Sequence, residues 1–290
     1  MIIGGSKKDV IKNIQKNLEN KEYNTKVEIN DAVLSDEEKL KLIDKFYRQK
    51  KSLFYKFKNK SVTKLINKTG KSIMDNIDVI GEENLKNVDL SKGAIITCNH
   101  FNPLDSYNAR KIVEKILHRK LYIVIQDTNL AMKGQLGLIM NYANNIPITK
   151  SPNYILKIFI PEMKRILDEG NIILIYPEEE MWFNYRKPRP CKRGAYQFAS
   201  ELGVPIISLF VQIDDLETKD NKEFYNTKYT AHILKTLYPK KEKSIKENSV
   251  YLSELDYKQK KEAYEKSYNK ELTYDFSFKD IAGFINKENH

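Results

Sequence analysis

Gly93-Ala94-Ile95-Ile96-Thr97-Cys98-Asn99-His100-Phe101-Asn102-Pro103-Leu104-Asp105 is the stretch that decides the fold. Its first six residues are uncharged and rich in isoleucine, and they read as a buried strand. Pro103 forces a turn. Asp105 stands where the next helix begins, at the end that favours a carboxylate. The unit is therefore strand, turn, helix. His100 sits at the carboxyl end of the strand, where active-site residues of open α/β sheets gather.

The same alternation continues outward. Residues 105–117 read as a helix, 121–126 as a strand, 127–142 as a helix and 146–148 as a short extended piece. Residues 154–169 read as a helix ended by Gly170, and 171–176 as a strand. A helix over 193–202, ended by Gly203, leads to strands over 204–213 and 225–237. The expected class is α/β: a mixed, largely parallel sheet flanked by helices. Upstream, Lys7 to Asn20 reads as a short peripheral helix. Ser35-Asp36-Glu37-Glu38 is a helix start, from which a helical region runs to about residue 76, broken near Gly70. Residues 240–290 read as a solvated helical tail. The expected organisation is a helical, basic, amphipathic membrane-contact region (1–76), an α/β domain (77–239) and a helical C-terminal extension (240–290).

The 290 residues carry 50 Lys and Arg against 39 Asp and Glu, a net charge of +11. Eighteen Tyr and 12 Phe exclude a disordered chain. Two cysteines, Cys98 and Cys191, exclude a disulfide scaffold. No apolar run approaches the ~20 residues of a membrane-spanning helix. The start, Met1-Ile2-Ile3-Gly4-Gly5 followed by Lys7, Lys8 and Asp9, lacks a signal-peptide pattern, so the expected compartment is the cytoplasm. Positive charge concentrates in residues 36–72, with 12 Lys and Arg against 4 Asp and Glu. Leu42, Phe46, Leu53, Phe54 and Phe57 recur there at helical steps. Such a helix suits an anionic leaflet, and it equally suits a core-packing helix with a solvated lysine face. No nucleic-acid-binding motif accompanies the charge.

Four histidines are present. His290 is terminal, His118 lies in a basic stretch, and His232 lies in an expected strand. His100 differs, because a tight turn can bring Asp105 back to one ring nitrogen and leave the other free as a general base. The same H-x4-D spacing also describes a turn histidine beside a helix N-cap. A second cluster follows the strand 171–176: Pro177-Glu178-Glu179-Glu180, then Arg186, Lys187, Arg189, Lys192 and Arg193. Three adjacent carboxylates at a strand end need cations nearby. The arrangement reads either as a pocket for an anion or polar headgroup or as a charged surface loop.

Taken in order, these pieces resemble the lysophosphatidate (1-acylglycerol-3-phosphate) acyltransferase-like family of glycerolipid acyltransferases. Asn99-His100-Phe101-Asn102-Pro103-Leu104-Asp105 matches the family's N-H-x-S-x-x-D, with Asn102 for Ser. Asn145-Ile146-Pro147-Ile148-Thr149-Lys150 resembles G-x-I-P-I-D-R. Tyr176-Pro177-Glu178 matches the start of F-P-E-G-T-R, and Lys192 through Ile207 resembles K-x-G-A … A … G-V-P-I-I-P. The resemblance covers roughly residues 79–213.

The resemblance implies an acyltransferase that moves a fatty acyl group from a thioester, acyl-carrier protein or acyl-CoA, to a hydroxyl of a lysophospholipid or related lipid. His100 would be the general base and Asp105 its orienting partner. Asn102, Lys150, Glu178, Glu179, Arg186, Arg189, Lys192 and Arg193 would form the substrate site. Glu178 would hold the acceptor's polar part or the loop that does, and Lys150 is one candidate donor to the oxyanion. No metal and no cofactor beyond the acyl co-substrate is implied. The expected location is peripheral, on the inner face of the membrane. The third motif departs: Glu179, Glu180 and Met181 replace Gly, Thr and the phosphate-binding Arg, a role that Arg186 or Arg189 is then expected to fill or leave vacant. Three rival readings stand beside this one. They are a Cys98/His100 thioesterase-like acyl hydrolase, a metal-dependent hydrolase using His100, Asp105 and the three glutamates, and a non-enzymatic lipid-binding protein.

Overall fold

The computed structural model of the chain describes residues 7–29 and 32–285. His290 and the first six residues lie outside the described residues. Helix α1 (Lys8–Glu19) leads through an irregular strap to α2 (Asp36–Lys50) and α3 (Leu53–Asp75). The sheet region then runs β1 (Asp78–Ile80), β2 (Ala94–Thr97), α4 (Ser106–Arg110, continuing as a π-helical stretch over Lys111–Ile116), β3 (Leu121–Gln126), α5 (Gly134–Tyr142) and β4 (Asn145–Ile148). Next come α6 (Pro152–Tyr154), joined by the π-helical Ile155–Phe159 to α7 (Ile160–Asp168), then β5 (Ile172–Ile175), α8 (Gly194–Leu202), β6 (Ile206–Lys219), β7 (Tyr225–Ile233) and α9 (Ile245–Tyr268).

The seven strands are ordered β1-β7-β6-β2-β5-β3-β4. Every neighbouring pair is parallel except β6–β7, so β6, β2, β5, β3 and β4 all point their carboxyl ends the same way. The strand-helix alternation read from the sequence yields this mixed, mostly parallel α/β sheet. In β2 the pleat sends Ala94 and Ile96 to one face and Ile95 to the other, and both faces are covered. Helices α3 and α4 cover the first face with Val62, Ile66, Tyr107 and Ile112. Helices α2, α7, α8 and α9 cover the second with Phe46, Met163, Tyr196 and Leu252.

Ser35 and Glu38 close a capping box at the start of α2, where the sequence puts it. The helix break, however, falls at Lys51-Ser52 and not at Gly70. Ser52 caps a second helix, its hydroxyl accepting from the Tyr55 N–H. Gly70 is interior to α3 because the Tyr107 ring lies against it: a Cβ there would stand 2.0 Å from Tyr107 Cε1. The glycine makes room for a neighbour, and it does not end the helix. The stretch 127–142 is also divided, into a 3-10 turn (Asp127–Ala131) and α5. Gly134, at φ +64°, supplies the left-handed residue between them.

Residues 245–268 are helical, but that helix is packed where a solvated tail was expected. Leu252, Asp256, Lys260 and Tyr264 are buried. The chain beyond it returns to the sheet, adding Ile281 and Ala282 to the cores. Among the described residues, no helix is long and apolar enough to cross a membrane.

Candidate active site

β2 ends at Thr97, and the chain turns back on itself over residues 98–105. The turn closes on one carboxylate. Asp105 Oδ2 accepts from the backbone N–H of Phe101 (2.9 Å) and of Asn102 (3.2 Å), and lies 2.8 Å from His100 Nδ1. The Asp105 side chain makes no cap bond to the helix that follows it, so the plain N-cap alternative does not hold. An ionised carboxylate only accepts, so Nδ1 carries the proton and Nε2 is left with a lone pair. Asp105 is 2% exposed and His100 20%. The carboxylate is sealed and the imidazole reaches solvent.

The strand-end loop of β5 builds the other wall. Tyr176 lies flat against His100, with ring centroids 3.8 Å apart and planes at 15°. Its hydroxyl donates to Asp105 Oδ1 at 2.5 Å. Burial, with Asp105 beside it, pushes that phenol well above its ordinary range, so it is a donor throughout. Sequence reasoning passed over Tyr176, although it stands in the third motif; no spacing rule predicts a ring laid on a histidine.

The predicted substrate residues divide into two groups. Glu178 and Arg189 form a buried ion pair at 2.8 Å, 3% and 1% exposed. The Glu178 carboxylate also accepts from the backbone N–H of His100 (3.1 Å) and of Arg189 (2.8 Å). Arg189 further donates to the His100 and Tyr23 carbonyls and stacks on Trp182. This pair ties the β2 loop to the β5 loop and faces no solvent, so neither residue offers its charge to a ligand. Of the two roles expected for Glu178, it fills that of holding the loop. Arg186 points elsewhere: it pairs with Asp215 at 2.6 Å and donates to the Ile213 and Lys279 carbonyls. Both arginines expected to replace the missing phosphate arginine are thus engaged with carboxylates of the chain itself. Asn102 is also tied into the loop. Its Oδ1 accepts from the Leu104 N–H (3.0 Å) and its Nδ2 donates to Asn184 (3.0 Å).

Four predicted residues remain on the surface. Glu179, Lys150, Lys192 and Arg193 are exposed. Glu179 adopts a left-handed φ of +63°, the conformation natural to the glycine that the motif has there. Lys192 and Arg193 immediately precede α8, and the Lys192 N–H bonds to the Pro177 carbonyl at 2.7 Å, beside the glutamate loop. Lys150 follows β4, separated from β2 by β5 and β3. At the usual strand spacing that is a lateral distance of about 14 Å.

The Cys98 thiol does not support the thiol-enzyme reading. It is 1% exposed within the apolar cluster of Ile96 and Ala109, and burial, reinforced by Asp105, pushes it well above the usual thiol range. Among the described residues no group of three His, Cys, Asp or Glu is placed to hold a metal ion. The two best-formed clefts, of about 600 and 300 Å³, lie elsewhere. The larger is at the amino ends of β3 and β5, opposite His100, and the smaller lies between α2 and α5. His118 is exposed on the larger cleft, and His232, on β7, bonds Gln212 on β6.

The sheet thus presents an aspartate-bonded imidazole at the end of β2, beside the loop that follows β5. Residues 76–212 match the Acyltransferase family. Over those residues the chain is similar to acyltransferases. Among solved structures it is similar to the 1-acyl-sn-glycerophosphate acyltransferase PlsC from Thermotoga maritima, at 19% identity and a TM-score of 0.49, over 78% of this chain and 88% of that one. A comparison with curated proteins finds no match.

Proposed function

We propose that this enzyme transfers a fatty acyl group from a thioester, acyl-carrier protein or acyl-CoA, to a hydroxyl of a lysophospholipid or related lipid. The observation that carries the reading is the His100–Asp105 contact, with the aspartate sealed and the imidazole open. The acceptor O–H gives its proton to His100 Nε2 as its oxygen attacks the thioester carbonyl. The resulting imidazolium is held by Asp105 through Nδ1–H. As the tetrahedral intermediate collapses, the C–S bond breaks and the thiolate takes the proton back from Nε2. The thioester is already activated, so no acyl-enzyme is required.

Lys192 and Arg193, on the loop next to the glutamates, are the cations we assign to anionic groups of acceptor or donor, with Lys150 at the rim. Arg186 and Arg189 are committed, and Glu179 and Glu180 flank the loop. This supports an acceptor other than one selected by a buried arginine–phosphomonoester pair.

The membrane-contact reading is supported by Leu53, Phe54 and Phe57, which are 81%, 62% and 71% exposed at the start of lysine-rich α3. Such rings among lysines suit the headgroup layer of an anionic leaflet. We therefore propose a peripheral enzyme on the cytoplasmic face of the membrane.

The test is mass spectrometry of products when the purified protein is offered lysolipids and glycolipids with each thioester donor. His100→Ala should lower acyl transfer about 100- to 10,000-fold with the fold intact, and Asp105→Asn comparably. Near wild-type turnover in His100→Ala would exclude the general-base assignment. Transfer to no acceptor, with tight lipid binding, would favour the binding-protein reading.

A further inference from the structure

Asp105 has two oxygens, and the turn uses only one of them. Oδ2 takes His100 and two backbone N–H groups, while Oδ1 takes the Tyr176 hydroxyl at 2.5 Å. The same tyrosine lies flat on the imidazole with centroids 3.8 Å apart. One side chain thus touches both members of the pair at different ends. A phenylalanine in its place would supply the ring and not the hydroxyl.

We propose that Tyr176 is a positioning residue that makes the pair a triad: its hydroxyl fixes Asp105 from behind, and its ring fixes the plane of His100. The assignment rests on the general-base reading of His100 and adds what sets that base's strength. A donor on Oδ1 draws charge away from Oδ2, so Asp105 stabilises the imidazolium less. The ring acts separately. It restrains the imidazole so that Nε2 keeps its direction while Nδ1 stays bonded.

Other charged or titratable groups surround this pair. Arg110 on α4, Cys98 at the end of β2 and Tyr229 on β7 all sense the Asp105–Tyr176 charge system. Glu178 and Arg189 stand on the loop, paired to each other at 2.8 Å, and buried Asp256 and Lys260 approach Cys98 from α9. None of these groups is bonded to Asp105 Oδ1, so the Tyr176 hydroxyl is the one change that acts on that oxygen alone.

The experiment pairs Tyr176→Phe with Tyr176→Leu and reads two quantities. In Tyr176→Phe, the His100 imidazole titration followed by nitrogen NMR should move upward by about 0.5–1 pH unit, and the acid limb of kcat/KM should move with it. Its kcat should fall about 3- to 10-fold with KM unchanged, because Asp105 is no longer held from behind and the His100–Asp105 geometry loosens. Tyr176→Leu should lose roughly a further tenfold, which the phenylalanine variant recovers. A role in stability alone would lower the melting temperature and leave the titration where it is in the wild type. An unmoved titration in a folded Tyr176→Phe protein overturns the proposal. If instead the titration moves but His100→Ala keeps its acyl transfer, the general-base reading fails and the Tyr176 assignment stands as a property of the histidine alone.

Discussion

At the scale of single residues, Glu179 carries a cost the loop does not need. Its φ of +63° is left-handed, where a Cβ is unfavourable by roughly 1–2 kcal/mol, and its side chain is exposed. Glycine relieves that strain but adds about 0.4–1 kcal/mol of unfolded-state entropy. Glu179→Gly should therefore raise stability by roughly 0.5–1 kcal/mol in denaturant unfolding; a loss of stability would mean that contacts of the carboxylate hold this conformation. The neighbouring residues show what sequence conveys at this scale. His100 and Asp105 were legible because a turn of fixed length between a strand and a helix leaves few places for the carboxylate. The roles of Glu178, Arg186 and Arg189 were not. A glutamate beside arginines reads alike whether it faces a ligand or its own counterion. Only burial separates the two, and burial here comes from Trp182 and the Tyr23–Thr25 strap, far off in sequence: Trp182 donates to the Thr25 carbonyl and Asn24 to those of Glu178 and Pro190.

At the scale of elements, the amphipathic pattern of residues 36–72 contains two helices whose apolar residues have different fates. Ile43 and Phe46 of α2, and Tyr55, Val62 and Ile66 of α3, enter the cores. Leu53, Phe54 and Phe57 follow the same three- and four-residue spacing but stay outside. The periodicity marked the stretch as helical but missed the restart at Ser52, which resets the phase, so it could not tell which apolar stripe was buried. Because these rings make no core contact, changing them should spare the fold. Phe54→Ser with Phe57→Ser should weaken binding to anionic vesicles by about tenfold or more, each buried ring being worth roughly 1.5–3 kcal/mol. Vesicle sedimentation at fixed salt checks this, with a melting curve as control. Unchanged vesicle binding in the folded double variant would remove this face of α3 from the membrane contact.

At the scale of the whole molecule, β2, the strand that leads to His100, is fastened by a helix outside the matched family region. Asp256 and Lys260 of α9 are 0% and 1% exposed and 2.8 Å apart. Asp256 accepts from Thr97 on β2 (2.7 Å), from Ser208 on β6 and from Tyr196 on α8, and Lys260 donates to Thr97 (3.0 Å). The sequence hid this pair among its neighbours, for Lys258–Glu262 and Lys261–Glu265 have four-residue spacings on the same helix and lie largely in solvent. The energetic difference is large. An exposed pair is worth about 0–1 kcal/mol, whereas removing one member of a buried pair strands the other and costs about 3–5 kcal/mol. Asp256 is held below the usual carboxylate range: burial opposes this, and the Lys260 charge and the hydroxyl donors outweigh it. Its stabilising contribution is therefore fully present above about pH 4 and is lost as pH falls through its folded value. Lys260→Met should lower stability at pH 7 by about 3–5 kcal/mol, and adding Asp256→Asn should restore part of that loss by removing the stranded charge. Denaturant unfolding of the two variants decides the point. If Lys260→Met alone is as stable as the wild type, the charge pair does not fasten α9 to β2. If the double variant is no more stable than Lys260→Met alone, the loss does not come from a stranded carboxylate.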